Sequence, residues 1–110
     1  MNDRTARKLT EVTGLRDAAL TLLEMQGERE SDRVWFGRHT PENLEPRLTA
    51  VLSHYPRYSS LEVWSTLRGK HAKVLNMAWK GDAVQVTSFR RGDWESELLA
   101  MGRAQGFAVH

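Results

Sequence analysis

The chain has 110 residues, of which 40% are hydrophobic and 27% are charged, and its formal net charge is +2. This length supports one modest hydrophobic core, and the balance of apolar and charged residues excludes a disordered chain. Because cysteine is absent, disulfides, a thiolate nucleophile and cysteine-ligated metal centres are excluded as well.

Residues 5–26 are predicted to form a helix. Apolar side chains recur at helical spacing through this stretch, and charged residues occupy the remaining surface; the apolar residues are Leu9, Val12, Leu15, Ala19, Leu22 and Leu23. Gly27 is a natural C-terminal stop. Gly14 lies inside the helix, where a break is possible.

The following stretch predicts a polar connector at residues 28–32, a strand at 33–38 and a second helix. From Asn43 to Pro56 the apolar residues again follow helical spacing; they are Leu44, Leu48, Val51, Leu52 and Tyr55. We therefore expect a helix over residues 43–55. His54 would lie at its C-terminal end, near the negative end of the helix dipole.

Residues 61–67, 72–79 and 83–89 predict an antiparallel meander of three strands, because each run is rich in β-forming residues and the connections are short and contain glycine. A two-residue turn at Gly81-Asp82 and a three-residue loop at Arg68-Gly69-Lys70 fix the expected register. On the buried side this register pairs Trp79 with Val84, Met77 with both Val86 and Leu61, and Leu75 with both Ser88 and Val63. Asn76, Gln85 and Thr87 are expected on the opposite side.

A final helix is predicted to start after Asp93, which is a good N-cap residue, and to bury Trp94, Leu98 and Met101. It would end at Gly102 or Gly106. Residues 107–109 would then return as a short strand parallel to the strand at 83–89.

The predicted order of elements is α, β, α, β, β, β, α, β. This order indicates an α+β fold, a two-layer sandwich with a central antiparallel meander, similar to a ferredoxin-like plan with an extra N-terminal helix. We expect one domain over residues 1–110, with a leading helix at 1–27 and a sheet-and-helix core at 33–110.

The meander also predicts a surface. The same register places Trp64 opposite Val74, and Val74 opposite Phe89, which would form an aromatic row on a mostly polar face of the sheet. Residues 57–91 contain seven Lys or Arg and only two acidic residues. Exposed aromatic rings stack on unpaired bases, and cations neutralise phosphates. We therefore expect Trp64 and Phe89 to stack on bases, with Arg68, Lys70, Lys80, Arg90 and Arg91 as phosphate contacts.

The resulting hypothesis is a small, non-catalytic nucleic-acid-binding or regulatory module for single-stranded RNA or DNA. The alternative is a protein–protein interaction module or a homo-oligomerising adaptor, in which the leucine stripe of the first helix or the sheet face pairs with a partner chain or with a second copy of this chain. A purely structural reading is also open, in which the leucine stripe covers the aromatic row and Trp64 and Phe89 are core residues. We expect no cofactor and no metal, because the four histidines lack ligand spacing and no phosphate-binding glycine loop occurs.

A second alternative rests on His71, which lies beside Arg68 and Lys70 in the sequence. Together with Arg90 and Arg91 these residues on an antiparallel sheet resemble, in general style and not in motif, the metal-independent ribonucleases of the RelE-like toxin class. The chain has no apolar run near the roughly 18 residues that a membrane-spanning helix needs, and no apolar segment follows the charged amino terminus. We therefore expect a cytoplasmic protein with no membrane partner.

Overall fold

The computed structural model describes residues 3–37, 48–67 and 70–106. Within them the chain forms one long helix, six strands and a second helix. The elements are α1 (Asp3–Gln26), β1 (Glu28–Glu30), β2 (Arg33–Phe36), β3 (Leu48–Tyr55), β4 (Tyr58–Leu67), β5 (Lys70–Lys80), β6 (Ala83–Phe89) and α2 (Trp94–Ala104). Neither helix is long and apolar enough to cross a membrane.

The six strands form a single antiparallel sheet in the order β1-β2-β3-β4-β5-β6. Each strand therefore pairs only with its neighbours in the chain, as in a meander. The α+β class and the central meander are confirmed. The sequential order of the described strands contains no crossover, however, so it does not reproduce the strand arrangement of the expected ferredoxin-like plan.

The first helix agrees with its prediction. The buried residues of α1 lie on one stripe, and the described ones are Val12, Leu15, Ala18, Ala19, Leu22 and Leu23. The helix continues through Gly14 without a break. It ends at Gly27, whose N–H donates to the Leu23 carbonyl oxygen at 2.9 Å. A Cβ at Gly27 would overlap that oxygen and the Val34 side chain, so this close approach requires glycine.

The predicted second helix is wrong over its described part, because residues 48–55 form strand β3. Phe36 pairs with Ala50 and Val34 with Leu52, which places alternate residues of β3 in the core. The other alternate residues are also largely screened from solvent: Thr49 and Ser53 are buried and Val51 is half-buried. Leu48, Val51 and Leu52 satisfy a helical spacing as well, so the positions of the apolar residues alone did not distinguish this strand from a helix. Residues 43–47 lie outside the described part of the chain.

The polar connector at residues 28–32 contains a further strand. Glu30 pairs with Arg33, so β1 and β2 form a hairpin closed by Ser31 and Asp32. Ser31 adopts a positive φ of 60°, a conformation that two-residue hairpin turns require. All three residues of β1 are exposed, and its sequence therefore carries no apolar signal.

The register of β4, β5 and β6 is confirmed close to the turns. Lys80 pairs with Ala83 across the two-residue turn, Trp79 with Val84, and Met77 with both Val86 and Leu61. Val63 pairs with Leu75, also as predicted. Met77 and Leu75 are buried, whereas Gln85 and Thr87 are exposed.

Two register shifts change the rest of the sheet. A shift at Val63/Trp64 leaves Val74 as the extra residue in β5, so Trp64 lies opposite Lys73 instead of Val74. A second shift at Asn76/Met77 places Leu75 opposite Phe89 instead of Ser88. An extra residue of this kind is a β-bulge, which bends the strand and increases its twist.

The first bulge also corrects the loop between β4 and β5. Leu67 pairs with Lys70, so Lys70 belongs to the strand and the expected three-residue loop is too long. His71 likewise lies in β5, opposite Thr66, and not in a turn. Arg68 and Gly69 themselves lie outside the described residues.

The second helix begins where the sequence predicts, after Asp93, but the Asp93 side chain makes no capping hydrogen bond. Instead, the Gly92 N–H donates to the Glu95 carboxylate at 3.2 Å. Gly106 follows the helix with a φ of 97°, as expected of a glycine after a C-cap. Residues 107–109, predicted as a last strand, lie outside the described part.

Both helices pack on the same face of the sheet. Their buried residues, including Leu15, Leu22, Trp94 and Leu98, join the inward-facing residues of the strands in one hydrophobic cluster. The two helices also contact each other. We call the sheet face that is turned away from this cluster the outer face.

Candidate functional site

The register assigns the outer face row by row across the strands. Strand neighbours lie about 4.8 Å apart, and alternate residues along a strand about 7 Å apart. Two rows cross the centre of this face. One consists of Arg33, Ser53, Ser60, Ala78 and Gln85, and the row next to it consists of Trp35, Val51, Glu62 and Asn76. Tyr55 and Tyr58 lie at one end of this face, and Thr49, Trp64 and Lys73 at the other.

At one end of the outer face, Trp64 lies among polar side chains. The Lys73 ammonium is 5.4 Å from the centre of the Trp64 ring, and the His71 ring centre is 5.8 Å away, tilted by 32°. Trp64 is half-buried. A cation at this distance is attracted to the negative face of the indole ring, so Lys73 and His71 hold Trp64 in one orientation.

A hydrogen-bond chain positions His71. The Thr49 hydroxyl donates its hydrogen to the Gly37 carbonyl oxygen at 2.7 Å, and His71 Nε2 lies 3.4 Å from the same hydroxyl. A hydroxyl has only one hydrogen to donate. His71 Nε2 must therefore be the donor toward Thr49, which fixes the imidazole as the Nε2–H tautomer when it is neutral.

The positive charge of Lys73 is compensated locally, because its Nζ lies 2.7 Å from a carboxylate oxygen of Glu62. Both side chains are about one-third exposed. In this position Lys73 orients Trp64 more than it attracts anions. The stronger anion attraction must come from cations without an acidic partner.

At the other end of the outer face, Tyr55 and Tyr58 form an exposed aromatic pair. They face each other across the β3–β4 hairpin, and their ring centres are 4.8 Å apart with an angle of 25° between the planes. The two side chains are 41% and 46% exposed. Arg57, in the turn between them, is exposed.

A groove lies beside Tyr58, which we call the tyrosine groove. Its volume is about 460 Å³, and it is lined by Tyr58, Ala78, Trp79, Lys80, Ala83, Val84 and Gln85. Lys80 is one residue beyond the Ser59–Trp79 pair and so faces Tyr58. On the outer face the groove has two small lining residues, Ala78 and Ala83, beside the Tyr58 ring and Lys80; Trp79 and Val84, which also line it, belong to the helix side of the strands.

A second concavity lies at the β1–β2 edge. It measures about 520 Å³ and is lined by Glu30, Ser31, Asp32, Arg33, Trp35, Thr49 and Val51. Because acidic and basic groups both line it, its charge does not favour one ligand class. Among the described residues no group of three His, Asp or Glu side chains could hold a metal ion.

The structure separates the predicted stacking residues. Trp64 lies on the outer face, but Phe89 lies on the helix side, where its ring packs edge-on against Trp94 with centres 6.1 Å apart. Val74 is fully buried. The expected row of Trp64, Val74 and Phe89 is therefore wrong, because both bulges shift the register between these residues.

The predicted phosphate contacts are also divided. Arg91 binds the Glu11 carboxylate of α1 at 2.8 Å and lies over the Phe89 ring, on the helix side. Lys80 lines the tyrosine groove, and Arg90 is exposed at the end of β6. Arg68 and the Lys70 side chain lie outside the described part of the structure.

Several outer-face residues had not been predicted, namely Arg33, Trp35, Tyr55, Arg57 and Tyr58. The sequence Tyr-Pro-Arg-Tyr at 55–58 carries a signal for them, since Pro is common in the turn between two strands. The predicted helix at residues 43–55 assigned Tyr55 to a helix end, so Tyr55 and Tyr58 were not recognised as neighbours across a hairpin.

Comparison with protein-family models, with curated protein sequences and with solved structures gave no match.

Proposed function

We propose that the protein is a small binding module that holds single-stranded nucleic acid on the outer face of its sheet. The observation that carries this proposal is the packing of both helices on the opposite face, which leaves aromatic rings beside cations at both ends of the outer face. The leucine stripe of α1 is buried in the core. It therefore does not cover Trp64.

Base stacking would supply much of the affinity. Trp64 presents an indole that Lys73 and His71 hold in place, and the exposed pair Tyr55 and Tyr58 presents a second platform. Stacking of one base on an aromatic side chain contributes about 1 to 3 kcal/mol and tolerates any base. A platform at each end suits an extended strand better than a compact ligand.

Uncompensated cations would supply the electrostatic part. Arg33, Arg57, Lys80 and Arg90 make no ion pair with any described side chain. Lys80 lies on the outer face and Arg57 at its tyrosine end, so their charges lie beside the tyrosine pair. Arg33 also lies on the outer face, but it shares its concavity with Glu30 and Asp32. Phosphate groups are the natural partners of such cations.

The ribonuclease alternative has less support. His71 lies on the outer face, where its ring contacts the Thr49 hydroxyl. Arg91 forms an ion pair with Glu11 on the helix side of the sheet. Of the described residues of that hypothesis, His71 and Arg91 thus lie on opposite faces of the sheet, while Arg68 and the Lys70 side chain lie outside the described part. The interaction-module alternative assigns no role to the cations that make no ion pair with a described side chain.

The test is a fluorescence-anisotropy titration of short labelled single strands of RNA and DNA. We expect salt-sensitive binding by the wild type, and a loss of about 5- to 150-fold in affinity for Trp64→Ala, which corresponds to one lost stacking contact. Trp64→Phe is the matched control, because it keeps an aromatic ring and should retain most of the affinity.

Circular dichroism must first show that both variants are folded. Sedimentation at several concentrations runs in parallel. If the wild type binds neither nucleic acid but its mass increases with concentration, the nucleic-acid proposal fails and a self-associating module replaces it. If RNA is degraded in the presence of a chelator, the ribonuclease alternative is correct.

A further inference from the structure

The tyrosine groove has the features of a site for one nucleotide. We infer that it binds a single nucleotide unit of the bound strand, with the base stacked on Tyr58 and the phosphate at Lys80 and Arg57. This inference rests on the proposed function and deepens it, because it assigns one subsite and the chemistry of its occupant.

Tyr58 is arranged in advance for stacking. Its ring is stacked against Tyr55 at 4.8 Å, and this contact covers one of its faces and limits its rotation. The side chain is nevertheless 46% exposed. A ring that is already oriented loses little conformational entropy when a base stacks on it.

On the outer face the floor of the groove is made of small side chains, while Trp79 and Val84, which also line the groove, belong to the helix side of the strands. Ala78 and Ala83 line it, and Ser60 pairs with Ala78 in the next strand. Their neighbours Tyr58, Lys80 and Gln85 are much longer, so the floor lies below its surroundings. The volume of about 460 Å³ is within the range of roughly 300 to 1,000 Å³ that small-molecule sites occupy.

The charge of the groove favours an anion. Lys80 lines it and makes no ion pair with a described side chain, and the same holds for Arg57 in the adjacent hairpin turn. The nearest acid in sequence, Asp82, lines a different cavity on the α1 side of the sheet, together with Arg16 and Leu20. No acidic residue lines the groove itself.

Gln85 supplies a group that can recognise the base. It is exposed on the outer face and lines the groove, and its amide offers both donors and an acceptor. A base stacked on Tyr58 presents donors and acceptors along its edge. The site therefore combines a stacking ring, an anion-binding pair and one hydrogen-bonding side chain, the three groups that a nucleotide requires.

The test is a titration of the ¹⁵N-labelled protein with adenosine monophosphate, followed through the backbone amide signals. We expect the shifts to concentrate at Ala78, Lys80, Ala83 and Gln85. Ala83→Leu should remove these shifts by filling the floor. Ala100→Leu, the same substitution on the exposed side of α2, should leave them unchanged.

Tyr58→Ala should weaken the binding of the mononucleotide by about 5- to 150-fold, provided that its amide spectrum shows a folded protein. Ala83→Leu changes an exposed residue and leaves both tyrosines in place, so we expect its amide spectrum to show a folded protein. Equal binding by Ala83→Leu and wild type would overturn the inference. So would shifts centred on Trp64 and Lys73.

The failure of this inference differs from the failure of the proposed function. If oligonucleotides bind but the mononucleotide never shifts the groove amides, the groove is not a nucleotide subsite and the module remains. If no oligonucleotide binds and the mononucleotide still shifts the groove amides, the proposed function fails and the groove is a site for free nucleotides.

Discussion

The separation of paired from unpaired cations makes a quantitative prediction about salt. Arg57 and Lys80 have no acidic partner among the described side chains, so in the complex they would each contact a phosphate. For single strands, each phosphate contact adds about 0.7 to the slope of log affinity against log salt. Replacing both residues by Gln should therefore lower the slope by about 1.4.

This change is large enough to measure. A fourfold increase in salt, from about 50 to about 200 mM, should weaken wild-type binding about sevenfold more than it weakens binding by Arg57→Gln/Lys80→Gln. Anisotropy titrations at four or so salt concentrations give both slopes. The substitutions lie on exposed side chains, so we expect the free energy of unfolding to change by less than about 0.5 kcal/mol.

Arg29→Gln/Arg103→Gln is the matched control. Both residues are exposed and lie away from the outer face, on β1 and near the end of α2. The control removes the same total charge and should leave the slope almost unchanged. If it lowers the slope as much as the outer-face pair does, binding depends on net charge alone, and the argument for a defined surface is refuted.

Three further predictions concern stability and can be checked by chemical denaturation. Phe89→Ala should destabilise the fold by about 2 to 4 kcal/mol, because the half-buried ring packs against the core and against Trp94; a change below about 0.5 kcal/mol would mean that the ring is not packed there. Glu95→Ala should cost about 0.5 to 1.5 kcal/mol, more than Asp93→Ala, which makes no capping bond; the reverse order would restore Asp93 as the cap. Gly37→Ala should cost about 2 to 5 kcal/mol, since Gly37 has a φ of 71° and a Cβ there would overlap the Leu48 carbonyl oxygen; an unchanged midpoint would contradict that backbone geometry.

The fold could be predicted from sequence where a single feature, such as the length of a turn, determined the strand pairing. The two-residue turn at Gly81-Asp82 fixed the pairing of Trp79 with Val84 and of Met77 with Val86. The prediction for β3 failed because Leu48, Val51 and Leu52 satisfy a helical spacing, although Thr49 and Ser53 alternate with the core residues as in a strand. In so short a run both periods can be satisfied at once, so hydrophobic periodicity alone does not decide between helix and strand.

The candidate site was harder to predict than the fold. A bulge adds one residue without any sequence mark as strong as a glycine or a proline, and each bulge reverses which residues face outward beyond it. Trp64 kept its predicted face because the extra residue of its strand pair, Val74, lies in β5 and not in β4. Phe89 follows the extra residue Thr87 in its own strand and therefore changed face. A prediction of which aromatic rings share a surface is therefore reliable only up to the first bulge.

The sequential pairing of the strands affects how the chain folds during synthesis. Each strand pairs with the one made just before it, so the sheet can form hairpin by hairpin with little loop-closure entropy. Helix α1 is made first, but its partner α2 is the last described element to leave the ribosome. Before Trp94 and Leu98 have been synthesised, the core side chains that they pack against remain exposed to solvent. We expect chains truncated between residues 89 and 104, which have the sheet but not a complete α2, to aggregate more readily than the full chain.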